Sequence, residues 1–286
     1  MIEQALRKHL QSQTSLSLFL AEYEGKSAIF NQEAPADVDS LWGYGSQYGR
    51  IVFAVDLQGD PERTMGGMLS VDIMCKENEQ VPEDIEPVVR DLIHGYFFYT
   101  GTFTVAAQWK NSSYFTQATD QVIGCTVTFD LLGFPAQTTR DPDVIARINE
   151  WCAKFPNIHV INHDFVQDSA WTPTDDETAV YWRLVNEAPA RWIPDTFQTS
   201  WRTATIKCHI FSKDNNTAAT VARDIIYRLY AERRLVKDGE APIMVNRQNS
   251  VDYGADPLRT GQVTVEATYG IIVHIEPDAG LLKINY

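Results

Sequence analysis

Two stretches of this chain, residues 68–78 (MLSVDIMCKEN) and 205–215 (TIKCHIFSKDN), alternate apolar and polar positions in the same phase. Leu69, Val71 and Ile73 mark the apolar side in one, and Ile206, Cys208 and Ile210 mark it in the other. A period of two is what a half-buried strand requires. Both stretches end in Lys, an acid and Asn, which is turn chemistry, because Asn tolerates left-handed backbone. The period then lengthens to that of a helix. After the first strand, Pro82 can open a helix, Glu83, Asp84 and Glu86 suit its positive end, and Ile85, Val88, Val89, Leu92 and Ile93 form an apolar stripe. After the second, Thr217 is the expected cap, and Val221, Ala222, Ile225, Ile226 and Leu229 form the stripe. The two helices carry nearly the same heptad, VVRDLIH at 88–94 and VARDIIY at 221–227. Val88 and Leu92, with their counterparts Val221 and Ile225, are expected to face the sheet.

The parallel extends along the chain. Strand patterns at 103–115 and 241–254 share an Asn-Ser step, and the segments 124–133 and 261–270 each run from glycine to glycine. Short helical patterns at 2–10 and 141–155 open the two halves. They lead into extended segments, LSLFLAEY and IVFAVDL in the first half and IHVIN and AVYWRLVN in the second. The Pro, Thr and Asp residues of LGFPAQTTRDPD read as a linker, which places a boundary near Thr138. The expected fold is α+β: two tandem repeats, residues 1–138 and 139–286, each a mostly antiparallel sheet packed against helices.

Composition narrows the classes. The chain has 286 residues, 44% of them hydrophobic, enough for two cores of ordinary size. No apolar run reaches membrane-spanning length, and the N-terminus lacks a signal-like stretch, so a soluble, unexported chain is expected. Four scattered cysteines form no disulfide framework and no zinc pattern. A net charge of -14 argues against tight nucleic-acid binding and suits a surface along which DNA slides.

The order of an N-terminal helix, a loop-rich strand pair, a strand feeding an amphipathic helix, and a terminal hairpin resembles the tail terminator and tail completion family of long-tailed bacteriophages. The stretches 68–78 and 205–215 and the strands ending at Phe129 and Tyr269 carry the likeness, which applies twice over most of the chain. It implies a virion structural protein of the tail or neck, assembled in the host cytoplasm. Such a protein forms a homo-oligomeric ring that caps the tail tube protein, joins the head connector proteins and lets DNA pass through its lumen. Members of this family are single copies. Three duplicated chains would complete a pseudo-sixfold ring, whereas six would give twelve units or two stacked layers. A distal-tail or baseplate adaptor is the alternative, followed by an enzyme or small-molecule-binding protein.

Candidate interface residues come from loops and helices. Trp42, Tyr44 and Tyr48 interleave with glycines in the first unit, and Trp192 lies in the corresponding loop of the second. Aromatics in such settings either anchor a partner or pack on their own sheet. The pairs Arg90–Asp91 and Arg223–Asp224 stand at the polar margin of the helical stripe or meet a neighbouring subunit. His159, His163 and Asp164 bring ligand types close together, yet on a strand residues four apart lie roughly 13 Å from one another. No metal, cofactor or catalytic residue is therefore expected. No nucleophile elbow, phosphate loop or dinucleotide fingerprint is present, and TDDE at 174–177 lacks calcium-loop spacing.

Overall fold

A computed structural model describes residues 2–43, 47–60, 63–99, 104–117, 121–133, 142–161, 177–212, 214–236 and 241–272. The described residues fall into two compact units, one before the 134–141 stretch and one after it. Thr138 itself lies outside the described residues. The architecture is α+β and rich in strands.

The first unit opens with α1 (Ile2–Gln11) and a single helical turn, α2 (Thr14–Ser17). LSLFLAEY is therefore not extended from its start. Its apolar positions Leu16, Phe19 and Leu20 recur at helical spacing, and Leu16 is fully buried. A hairpin of β1 (Glu22–Tyr23) and β2 (Lys26–Ser27) follows, then β3 (Ile29–Asn31), β4 (Arg50–Asp60) and β5 (Arg63–Lys76). Next come α3 (Pro82–Ile93), β6 (Phe97–Tyr99), β7 (Thr104–Gln117) and β8 (Val122–Gly133). The sheet order is β3-β4-β5-β8-β7-β6, antiparallel except for the parallel edge β3–β4. Leu69, Val71, Ile73 and Cys75 of β5 and Cys125, Val127, Phe129 and Leu131 of β8 form the inner face. Ile2, Leu6 and Leu10 of α1 and Ile85, Val89 and Ile93 of α3 cover it. Each such side chain contributes about 1.5–3 kcal/mol by leaving water.

The second unit runs α4 (Val144–Cys152), β9 (Ile158–Ile161), β10 (Thr178–Pro189), β11 (Thr199–Phe211) and α5 (Asn215–Glu232). It closes with β12 (Arg234–Leu235), β13 (Ile243–Val245), β14 (Ser250–Val251) and β15 (Val263–Ile272). Its sheet order is β12-β13-β15-β11-β10-β9, with β14 also on β15 and only β9–β10 parallel. Read from the parallel edge, both sheets follow one scheme: edge strand, long hairpin, last strand of the unit, then the strands after the helix. The second helix is capped by Asp214, not Thr217. Its carboxylate accepts from the backbone N–H groups of Asn216 and Thr217, both at 2.9 Å, and the Thr217 hydroxyl also turns to it. Asp143 caps α4 in the same way through the Ala146 N–H.

One expectation is met in part and another fails on phase: Ile225 is innermost and Val88, Leu92 and Val221 pack against the cores, but not as the deepest line. In α3 the innermost line is Ile85, Val89 and Ile93, four residues apart, while Val88 and Leu92 flank it half-buried. In α5 the innermost residues are Ala222, Ile225 and Leu229, with Val221 beside them. Only the Val89–Ala222 position of the shared heptad is innermost in both helices. The glycine-to-glycine match of β8 and β15 is also out of phase. Cys125, Val127 and Phe129 point inward in one, whereas Val263, Val265 and Ala267 do so in the other, and a one-residue slip exchanges the faces of a strand. A side chain at Gly124 would meet the Phe115 ring at 2.3 Å and the Ile73 carbonyl at 2.6 Å. Gly261 instead supplies a left-handed turn (φ 74°) before its strand.

Two histidines tie α3 to the first unit. His9 Nε2 donates to the Leu92 carbonyl at 2.9 Å and its ring stacks on Tyr96, while His94 Nδ1 accepts from the Trp109 N–H at 3.1 Å. Burial lowers both from the ordinary 6.5. The bond to Leu92 opposes the shift at His9, and at His94 Asp91 opposes it while Arg90 adds to it. The folded chain thus favours the neutral rings more than the unfolded chain does. The stability this lends is present above 6.5 and is lost as pH falls below that value and through the lowered folded values. The melting temperature is expected to fall between about pH 7 and pH 5, and to fall less in the His9→Gln/His94→Gln protein. Parallel slopes for the two proteins in a thermal melt series would refute this assignment.

Candidate interaction surface

Trp42 and Tyr48 of the first unit's loop make internal contacts. Trp42 packs edge-on against Tyr23 (5.0 Å between centroids) and Phe30 (5.7 Å), and its Nε1 donates to the Ala36 carbonyl. Tyr48 donates to Asp37 Oδ2, while Arg50 lies over its ring at 4.6 Å and pairs with Asp37 at 2.6 Å. These two aromatics are half-buried and make their contacts within the first unit. Tyr44 lies outside the described residues, as do His163, Asp164 and most of the TDDE stretch.

Arg90 is likewise occupied. Its guanidinium reaches Glu86 Oε1 at 3.4 Å and sits 5.3 Å from the Trp109 ring centroid. Glu86 is a buried carboxylate that accepts from Ser112 Oγ at 2.6 Å, and Ser112 in turn accepts from Trp109 Nε1 at 3.0 Å. Arg90 therefore helps neutralise a buried charge within its own unit. Asp91 is exposed and only 3.9 Å from Arg90, at the outer limit of an ion pair. Arg223 and Asp224 are exposed on α5, and Asp224 borders a groove of about 290 Å³ floored by Ile158, Val221 and Ile225.

Trp192 is different. It is 91% exposed, and Phe197, five residues further along the same β10–β11 loop, is 73% exposed. The loop is nonetheless fixed: Asp195 accepts from the Trp201 N–H at 2.7 Å and from Ser200 Oγ at 3.0 Å, and Thr196 N–H donates to the Thr199 carbonyl at 2.8 Å. Two large rings are thus held in water by a pre-formed turn, an arrangement that lowers the entropy cost of binding.

Beside this loop a cleft of about 660 Å³ opens on the face of the second sheet turned away from the helices. Its floor is polar because β11 and β15 place Thr203, Thr205, Glu266 and Thr268 opposite their inward residues. Thr203 and Thr268 share a hydrogen bond, and Thr268 donates to Asn246. Three exposed arginines line it: Arg191 from the loop, Arg247 after β13, and Arg233 at the end of α5. Arg233 closes its helix in the left-handed conformation (φ 56°), where Gly or Asn is the common choice. Nothing in the sequence pattern signals this cluster, since residues some forty positions apart meet only through the sheet. The Arg-Trp step at 191–192 was the available cue.

The cysteines and His209 sit in the interior. All four cysteines are free and buried, and burial lifts the thiols of Cys75 and Cys125 to about 11 and that of Cys152 to about 12. The buried His209 accepts at Nε2 from Arg183 Nε (2.9 Å). A guanidinium cannot accept, so Nδ1 holds the proton and donates to the Pro257 carbonyl at 2.6 Å. That histidine pins the loop before β15. His159 lies on strand β9. Among the described residues no three His, Cys, Asp or Glu side chains gather as metal ligands, and no helix is long and apolar enough to cross a membrane.

No family model, curated protein or solved structure matches the chain. What the fold defines is a class: an α+β chain of two sheet units, the second with a rigid aromatic loop beside an arginine-lined cleft.

Proposed function

We propose that this chain is a virion structural protein, a tandem duplication of a tail terminator or tail completion unit. As a ring in the phage neck it caps the tail tube and joins it to the head connector. The observation that carries the reading is the common scheme of the two units, which agree in strand order, in strand direction and in the place of both helices. Two similar units in one chain supply two non-identical faces, and a ring built head to tail requires such a pair. The fixed, water-exposed Trp192 and Phe197 suit a docking loop. The commitment of His209, the cysteines and Arg90 to internal contacts agrees with a scaffold role.

Electron microscopy of the purified protein, alone and mixed with tail tubes, tests this. Three- or sixfold rings with an open centre, seated on the head-proximal tube end, are the expected result. Binding confined to the distal tip would replace the terminator by an adaptor, and particles that remain single and ignore both ends would overturn the reading.

A further inference from the structure

The molecule is charged unevenly. Residues 1–138 hold 8 Lys and Arg against 18 Asp and Glu, a net of -10, whereas residues 139–286 hold 16 against 20, a net of -4. Part of the excess acid is gathered at the start of α3, in the loop before it (Glu77, Glu79) and in its first turn (Glu83, Asp84), where all four are exposed and form no ion pair among the described residues. This loop is ordered. Gln80 Nε2 donates to the Phe19 carbonyl at 2.8 Å, the Glu77 N–H donates to the Gln121 carbonyl at 2.9 Å, and Asn78 takes the left-handed turn (φ 69°). At its centre Val81 is 46% exposed.

We propose that the arginine cleft of the second unit receives this acidic loop from a second copy of the chain. Arg191 and Arg247 make no ion pair among the described residues, and Arg233 spends only its Nε, on the Tyr230 carbonyl. The acidic surface offers four exposed carboxylates that form no ion pair among the described residues, so the two surfaces complement each other in sign. A nucleic acid is the poorer occupant: Glu266 lies in the cleft, and the chain as a whole is at -14, which repels a long polyanion. The cleft and the loop belong to different units, so each copy offers one of each and the contact propagates head to tail. The inference rests on the proposed function in taking the chain as a self-assembling subunit, and it names the contact that joins the copies.

Sedimentation velocity of the full chain at low and high ionic strength tests it without any tail component. The unaltered protein is expected to associate at low ionic strength and to dissociate as salt is added. Arg191→Glu/Arg247→Glu and Glu79→Arg/Glu83→Arg proteins are each expected to associate about 100-fold more weakly. Mixing the two restores association, because acidic cleft then meets basic loop and basic cleft meets acidic loop, and this recovery also shows that both proteins are folded. Association unchanged in either altered protein, a mixture that stays monomeric, or single-stranded DNA held by the unaltered protein and lost with the arginines would each overturn the proposal. So would an unaltered protein that is monomeric throughout, whereas the proposed function is judged separately by capture on tube ends.

Discussion

Replacing Val89 with Asp is expected to prevent the first unit from folding. Val89 is fully buried at the middle of α3, between Ile85 and Ile93, against the inner face of β5 and β8. A carboxylate there would be taken out of water with no cation or donor facing it. Such a change costs more than about 4 kcal/mol, a large part of the stability of an ordinary domain. The neighbouring Leu92→Asp is the informative contrast. Leu92 is half-buried at the edge of the stripe, so its substituted carboxylate can turn toward water at a cost of about 1–2 kcal/mol. Ala222 occupies the same innermost place in α5, and Ala222→Asp is expected to unfold the second unit in the same way. Guanidinium unfolding of the three proteins, followed by tryptophan fluorescence, separates these cases. A Val89→Asp protein that melts cooperatively near the unaltered midpoint would show that α3 docks on another face.

Why the helix face is half right in the sequence follows from geometry. A stripe of five apolar residues at helical spacing fixes which side of α3 meets the sheet, but spans more than 100° of arc. Which line within it sits deepest depends on where β5 and β8 place Val71, Ile73 and Val127. The strands that read well, β4, β5, β10 and β11, are long, and β5 and β11 also alternate. Those missed, β3, β6 and β12, have two or three residues and exist only because a longer strand offers an unpaired edge. LSLFLAEY misled because a dense apolar run satisfies both periods. The glycines of β8 and β15 mislead because the same residue in two strands can precede opposite faces. As for the interface, Trp42 and Trp192 look alike in sequence, each in a loop beside small or turn-forming residues. Tyr23, Phe30 and Ala36 claim the first, and among the described residues Trp192 is left 91% exposed.

That contrast gives the second large effect. A Trp192→Ala/Phe197→Ala protein should be as stable as the unaltered chain to within about 0.5 kcal/mol, since neither ring loses a buried environment of its own. Under the proposed function, its binding to tail-tube ends should nevertheless fall more than about 100-fold, because two aromatic anchors of about 2 kcal/mol each would be removed from the proposed docking loop. Trp42→Ala should behave in the opposite way, lowering stability through the lost contacts with Tyr23 and Phe30 while leaving tube binding in place. Asp195→Ala falls between them. It removes the acceptor for the Trp201 N–H and Ser200 Oγ, so the rings remain but the turn that holds them loosens, and the ordering cost now falls at binding. Melting curves beside tube-binding titrations decide the matter: a double alanine protein that binds tubes as the unaltered chain does would remove Trp192 and Phe197 from the proposed docking surface.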